Sequence, residues 1–266
     1  MAARSGTTTL TRKTALPTHE PSPSADRCGQ RASPDFRLDG LDADEQMSAA
    51  FFRLVGVNED MLVSLAEHHS ADDTRSFYVL YDGSATWDHP GVPQYVALYL
   101  QRDQQRRTFD FERATLPLPS MAQSWLIHRG CPPEFIALAP ERGTMSADEA
   151  TRALEQRLMR DGDHYALGWS YTQDDPDDCV TLAVLRSLDD RAPSPFRVVV
   201  EEVDIEAGTH TLREGGFASV EEALQWCDNR LGGVSKALPP VRPTPSLSRP
   251  APAPKSATSR PSGRSR

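Results

Sequence analysis

The sequence lacks a long apolar run. It has no stretch of about 18 apolar residues, the length that a membrane-spanning helix needs. The first residues also lack the apolar segment of a secretory signal. We therefore expect a protein without a membrane span, and the cytoplasm is its simplest location.

Paired cysteines are missing as well. None of the four cysteines forms a CxxC pair or stands at a zinc-ligand spacing from a histidine. Cys131, Cys179 and Cys227 lie beside apolar segments, where a free thiol behaves as a small core residue. Cys28 lies in a polar segment and is expected to be exposed.

The motifs that define common reactions are absent too. The chain contains no phosphate-binding loop, no dinucleotide fingerprint, no zinc-protease helix, no nucleophile elbow and no calcium-binding loop. The sequence therefore indicates no cofactor and no metal, and it does not specify a reaction.

Lysine is missing from the middle of the chain. Residues 35–231 contain 17 arginines and 36 acidic residues, whereas bases outnumber acids in residues 1–34 and 232–266. An acidic surface repels phosphate at long range, so nucleic acid is not an expected partner of the middle. The basic ends leave a weak contact with nucleic acid open.

These composition shifts predict the domain organisation. Residues 1–34 and 232–266 are rich in Pro, Ser, Thr and Arg and cannot bury enough apolar surface to offset the entropy of ordering, so we expect disordered tails. Between the tails we expect a first α+β subdomain at 35–131, a linker or short helix at 132–145 and a second α+β subdomain at 146–231.

Apolar periodicity predicts the elements of this α+β fold. We expect one helix at 42–55 and a second after Gly56, with Asn58 as the cap of the second. Three further helices are expected after the capping-box serines Ser120, Ser146 and Ser219. Strands are expected near 77–81, 95–100, 108–111, 164–172, 179–187, 196–205 and 209–214. They would form a mixed or antiparallel sheet with helices packed on one face, or two tandem ββα-containing subdomains.

An internal repeat supports the tandem arrangement. A shift of 101 residues superposes 95–129 on 196–230 without a gap. The identical pairs are Asp103 with Asp204, Thr108 with Thr209, Ala122 with Ala223, Trp125 with Trp226 and Arg129 with Arg230. Any two ββα units align to some degree, so duplication is a hypothesis. A groove between the copies would be the expected ligand or partner site, since pockets favour domain interfaces.

The candidate catalytic residues lie in the loop after the first strand. Asp82, Asp88 and His89 could act there as acid and base groups, because loops displayed by a sheet often contain functional sites. The same residue types also form ordinary turns. Trp87 in this loop, with Trp125 and Trp226 in the repeat, are the candidate ligand-binding residues.

Other polar clusters favour structural roles. Two histidines and three acids at 67–73 could bind a divalent metal, but adjacent side chains on a helix diverge by about 100°. The acidic segment 174–178 lacks the ligand spacing of a calcium loop and is predicted to be a hairpin tip. His128, His164 and His210 have no sequence pattern that relates them to partners.

Three functions remain open. The leading prediction is a non-catalytic binding or regulatory protein whose partner is an unknown protein or small ligand. The alternatives are a hydrolase that uses Asp82, Asp88 and His89, and an acidic mimic of nucleic acid. An enzyme should show a concave site with perturbed pKa values, and a binding protein should show an apolar groove.

Overall fold

The computed structural model describes residues 34–55, 61–87, 91–138, 142–160, 164–175, 177–234 and 236–242. Its elements are α1 (Glu45–Val55), β1 (Leu62–His69), β2 (Arg75–Asp82), β3 (Tyr95–Asp103), β4 (Thr108–Leu116), α2 (Pro119–Ile127), β5 (Met145–Ser146), α3 (Glu149–Arg160), β6 (Tyr165–Asp175), β7 (Asp178–Ser187), β8 (Phe196–Asp204), β9 (Thr209–Phe217) and α4 (Val220–Leu231). A short 3-10 helix, Pro133–Phe135, follows α2. The α+β class is confirmed, and no described helix is long and apolar enough to cross a membrane.

The strands form two sheets. The first sheet has the order β1-β2-β3-β4, and all its neighbouring strands are antiparallel. The second has the order β5-β9-β8-β7-β6, in which only the pairing of β5 with β9 is parallel. The strands of the first sheet lie between α1 and α2 in the sequence, and β6 to β9 lie between α3 and α4, with β5 before α3.

Helices cover both faces of each sheet, whereas the sequence predicted helices on one face. In the first sheet, α1 packs on one face through Phe51 and α2 packs on the other through Ala122 and Leu126. In the second sheet, α3 and α4 divide the two faces in the same way. The reason is that β3 and β7 are buried at consecutive positions, so side chains on both faces need cover.

The helix predicted after Gly56 is wrong. Leu62–His69 is a strand at the edge of the first sheet, with a bulge between Ser64 and Ala66. Residues 62–66 are all buried, so both faces of this strand need apolar side chains. That continuous run imitates the spacing of a helical stripe. The proposed cap Asn58 lies outside the described residues.

The capping-box prediction is also wrong at two of its three serines. The N-cap of α2 is Leu118, which makes no side-chain capping bond, and Ser120 is inside the helix. At α3 the Asp148 carboxylate accepts the Thr151 N–H at 2.8 Å, while Ser146 belongs to β5. The third prediction is confirmed, because Ser219 Oγ accepts the Glu222 N–H at 3.2 Å.

Apart from β5, the two halves have the same order of helices and strands. The bounds of β3 and β4 differ from those of β8 and β9 by 101 residues, and so do the first residues of α2 and α4. This agreement fits a duplication, which stays a prediction.

A C-terminal strap, defined as residues 236–242, follows α4 and lies against β9. Gly216 N donates to Pro239 O at 3.0 Å, and Arg242 N donates to Ser194 Oγ at 3.1 Å. A Cβ atom on Gly216 would lie 2.6 Å from Ser194 Oγ and 3.0 Å from Val241 Cα. Glycine is therefore what lets the strap approach this strand closely.

We expect Gly216→Ala to lower the free energy of unfolding by about 1–3 kcal/mol, because the added methyl group overpacks the strap. Gly168→Ala in β6 is the matched control, since its Cβ would meet no heavy atom closer than 3.5 Å. Denaturant unfolding of both variants measures the difference. Equal losses would show that the strap contact is not specific.

Candidate functional site

A groove lies where the two halves of the chain meet, and we call it the α2 groove. Its volume is about 270 Å³. It is lined by Leu116, Met121, Ser124, Trp125, His128, Arg129, Leu158, Tyr165, Leu167 and Leu185. The lining therefore comes from β4 and α2 on one side and from α3, β6 and β7 on the other.

Helical spacing explains which side chains of α2 enter the groove. Met121, Ser124, Trp125 and the C-cap residue His128 follow the spacing i, i+3, i+4 and i+7, so they share one face of the helix. Ala122 and Leu126 on the opposite face are fully buried against the first sheet. The helix thus contributes to the first core and to the groove at the same time.

The C-terminal end of α2 positions Arg129 at the rim of the groove. Gly130 adopts a left-handed conformation with φ of 91°, and Cys131 N donates to Leu126 O at 3.1 Å, which closes the helix. Arg129 is thereby placed over Trp125, with its Cζ 3.3 Å from the ring centroid. Its guanidinium also pairs with Glu112 at 2.9 Å. The rim of the groove is therefore an aromatic ring covered by a cation.

The floor and far wall of the groove are mostly apolar. Leu158, Leu167 and Leu185 belong to the core cluster between α3 and the second sheet. Tyr165 is covered by Arg197, whose Cζ lies 4.6 Å from the ring centroid, and Arg197 pairs with Glu214 at 3.3 Å. Apolar walls with cations at the edge suit a ligand that has an apolar body.

One buried hydroxyl in the groove has no partner among the described residues. Ser124 is 3% exposed, and its Oγ makes no hydrogen bond. A buried polar group without a partner costs about 1–3 kcal/mol. A polar atom of a ligand that reaches Ser124 would remove this cost.

The three candidate tryptophans have different environments. Trp125 lines the groove, as a ligand-binding role would require. Trp226 is 9% exposed and packs with Phe217 inside the second core, so it does not line the groove. Trp87 is 57% exposed and lies outside the groove lining.

The candidate catalytic set is only partly described. Asp82 Oδ1 accepts the Ser84 N–H at 2.9 Å and the Ser84 hydroxyl at 2.6 Å, so this carboxylate stabilises a turn. Asp88 and His89 lie outside the described residues. The described end of the loop contacts the other half of the chain, since Gly91 N donates to Thr172 O at 3.1 Å.

The polar cluster at 67–73 lies on the hairpin between β1 and β2 rather than on a helix end. His68 stacks on Phe135 with ring centroids 4.6 Å apart, and His69 Nδ1 lies 2.7 Å from Ser76 Oγ. In the part of the chain that the structure describes, no three His, Cys, Asp or Glu side chains are placed to hold a metal. Of the acidic segment, Asp174 and Asp175 end β6 and Asp178 begins β7 as the partner of Asp175, which fits the predicted hairpin tip, and residue 176 lies outside the described residues.

Sequence reasoning missed the partners of His210. The structure places His210 Nε2 2.9 Å from Glu155 Oε1 and His210 Nδ1 2.8 Å from Thr144 Oγ1. Burial alone would lower the pKa of His210, but the Glu155 hydrogen bond and the negative charges of Glu201 and Glu155 outweigh it and raise the pKa. These contacts join residues 55 and 66 positions apart, so no local pattern signals them.

Comparison with protein-family models, curated proteins and solved structures finds no match to this chain.

Proposed function

We propose that the protein is a binding protein whose α2 groove holds the apolar part of a small ligand. The observation that carries the proposal is Ser124, a buried hydroxyl without a partner among the described residues in an otherwise mostly apolar groove. Binding sites combine apolar walls with a few placed polar groups in this way.

The size of the groove limits what it can hold. Ligand sites are typically about 300–1,000 Å³, and this groove, at about 270 Å³, is just below that range. It suits one ring system or a short acyl chain rather than a large cofactor. The ligand that fits has a compact apolar body and one polar group that reaches Ser124.

The rim favours a polar group that carries negative charge. Arg129 and Arg197 stand beside the two aromatic walls, Trp125 and Tyr165. Arg129 lines the groove, is paired with Glu112 and still has further donors that a carboxylate ligand can use. Arg197 is paired with Glu214, is not a lining residue, and adds positive charge beside Tyr165. Short fatty acids and aryl acids are therefore the first ligand class to examine.

We expect Trp125→Ala to weaken the binding of octanoate or indole-3-acetate at least about tenfold, or about 1.4 kcal/mol, because it removes one wall of the groove. Calorimetric titration of the full chain measures the affinity. The matched control is Trp87→Ala, which removes an exposed tryptophan outside the groove and should leave the affinity unchanged.

Two results would overturn the proposal. One is the absence of binding by either acid at millimolar concentration, and the other is an equal loss of affinity in the two tryptophan variants. Because the control removes the same side-chain type, equal loss would mean that the acids bind elsewhere.

A further inference from the structure

A second cavity, separate from the α2 groove, lies beside a chain of side-chain hydrogen bonds. Its volume is about 550 Å³, and it shares no lining residue with the α2 groove. Thr144, Ser146 and Glu155 lie on its wall. His210 stands behind them with only 5% of its surface exposed and connects the Thr144 hydroxyl to the Glu155 carboxylate. We call Thr144, His210 and Glu155 the relay.

The topology of the second half assembles the relay. The short strand β5 pairs in parallel with β9, and Ser146 is the register partner of His210. Thr144, the residue immediately before β5, therefore lies beside the imidazole. Glu155 comes from the middle of α3, which packs on the same sheet. The Ser146 hydroxyl donates to Glu155 Oε2 at 2.5 Å and holds the carboxylate in place.

The hydrogen bonds determine where the protons lie when His210 is neutral. An ionised Glu155 is an acceptor only, so the Nε2 atom of His210 must carry the hydrogen of that bond. Nδ1 is then the unprotonated nitrogen, and it accepts from the Thr144 hydroxyl. This is the arrangement in which a base can remove a proton from a nucleophile, while a third group orients the base.

Thr144 lines the cavity and is partly exposed. Thr144 and its neighbour Gly143 both line the wall, and a Cβ atom built on Gly143 would meet no heavy atom within 4 Å. Arg152 lines the same cavity, and its guanidinium pairs with Glu149 through one nitrogen. Its remaining donors can hydrogen-bond negative charge developing on a substrate oxygen.

We propose that Thr144 is the nucleophile of an acyl-transfer site that accepts small esters. The Thr144 oxygen forms a bond to the ester carbonyl carbon as its proton passes to His210 Nδ1. The carbon–oxygen bond to the leaving alcohol then breaks, and that alcohol takes the proton from His210. Water repeats the sequence, releases the acid and restores the threonine.

The groups that face His210 predict how this activity depends on pH. Glu155 on α3 and Glu201 on β8 are both negative and favour the imidazolium, and Thr144 contacts the other ring nitrogen. The base must be neutral, so acylation is expected to increase as pH rises through a value above 6.5, the ordinary pKa of histidine. Glu155 is a positioning residue, and Glu155→Gln should move this midpoint to lower pH.

The experiment treats the full chain with p-nitrophenyl acetate between pH 5.5 and 9. We expect a burst of p-nitrophenolate and one acetyl group on Thr144, located by peptide mass spectrometry. Thr144→Val should abolish the burst, Thr144→Ser should retain it, and His210→Gln should slow it by about 100-fold or more. Thr209→Val is the matched control, since it removes another threonine hydroxyl from the same cavity and should leave the burst intact.

The proposal fails if the wild-type chain carries no acetyl group on Thr144 at any pH, a result that needs no folded variant. It also fails if Thr144→Val reacts as fast as the wild type. Buried thiols should not obscure the result, because burial raises the pKa of Cys131 and of Cys227 to about 12 and keeps both unreactive. Acetylation of lysine or of the amino terminus alone counts against the site.

Discussion

Replacement of Arg102 by leucine is expected to lower the free energy of unfolding by about 3–5 kcal/mol, because it leaves several buried acceptors without their charged donor. Arg102 is 5% exposed. Its guanidinium donates to the carbonyl oxygens of Phe36, Arg37 and Asp73 at 2.6, 3.1 and 3.4 Å, and to Ser76 Oγ at 2.8 Å. Leucine would fill part of the space but would remove every one of these donors. Denaturant unfolding at neutral pH measures the loss.

Arg107 provides the matched control for this prediction. Its side chain also donates to a backbone carbonyl of the N-terminal segment, Gly40 O at 3.1 Å, but the bond is exposed to solvent. Arg107→Leu should therefore change the stability by no more than about 0.5 kcal/mol. Limited proteolysis adds a second measurement, because loss of Arg102 should release the segment around Phe36 and Arg37. A loss of stability below about 1 kcal/mol for Arg102→Leu would contradict the stabilising role of the Arg102 hydrogen bonds.

The pair of His210 and Glu155 should make stability depend on pH in a defined window. Burial alone would raise the pKa of Glu155, but the hydrogen bonds from His210 and Ser146 lower it below its ordinary value of 4.5. The stabilisation from Glu155 is thus present above pH 4.5 and is lost as the pH falls through the lowered pKa. The raised pKa of His210 gives stabilisation that is complete below pH 6.5 and is lost as the pH rises through the raised value.

The two effects overlap between about pH 4.5 and 6.5, where the pair contributes most. We expect Glu155→Gln to cost about 3–5 kcal/mol at pH 5.5, because it leaves a buried imidazolium without its carboxylate. At pH 8 the imidazole is closer to neutral, so the cost should be smaller. Unfolding curves of the wild type and the variant at both pH values measure the difference, and a cost independent of pH would contradict the assignment.

Local patterns were sufficient for much of this fold. The hairpin of β3 and β4, the hairpin tip between β6 and β7, and the capped helix α4 were predicted because turn residues and apolar spacing lie within a few residues of each other. The strand β1 was mistaken for a helix because it is buried on both faces. The pattern of Ser followed by Gln or Glu was misleading at Ser120 and Ser146, where a proline start and a nearby aspartate determine the helix ends.

The candidate sites show the same division between local and distant contacts. Trp125 was singled out from the sequence because of the repeat, and its ligand-binding role stays a prediction. Ser124 could not be singled out, since a serine inside a helix has no pattern that shows whether its hydroxyl is paired. Thr144, Glu155 and His210 could not be related to one another, because a two-residue strand and a helix packing contact bring them together.

The helix α2 has a consequence for how the chain unfolds. Leu118 and Met121 follow the strands of the first sheet in sequence, yet they pack with Leu154 and Leu212 in the core of the second. Ala122 and Leu126 of the same helix complete the core of the first. Neither half can therefore lose this helix without exposing the other, and the two halves are expected to melt together in one cooperative transition.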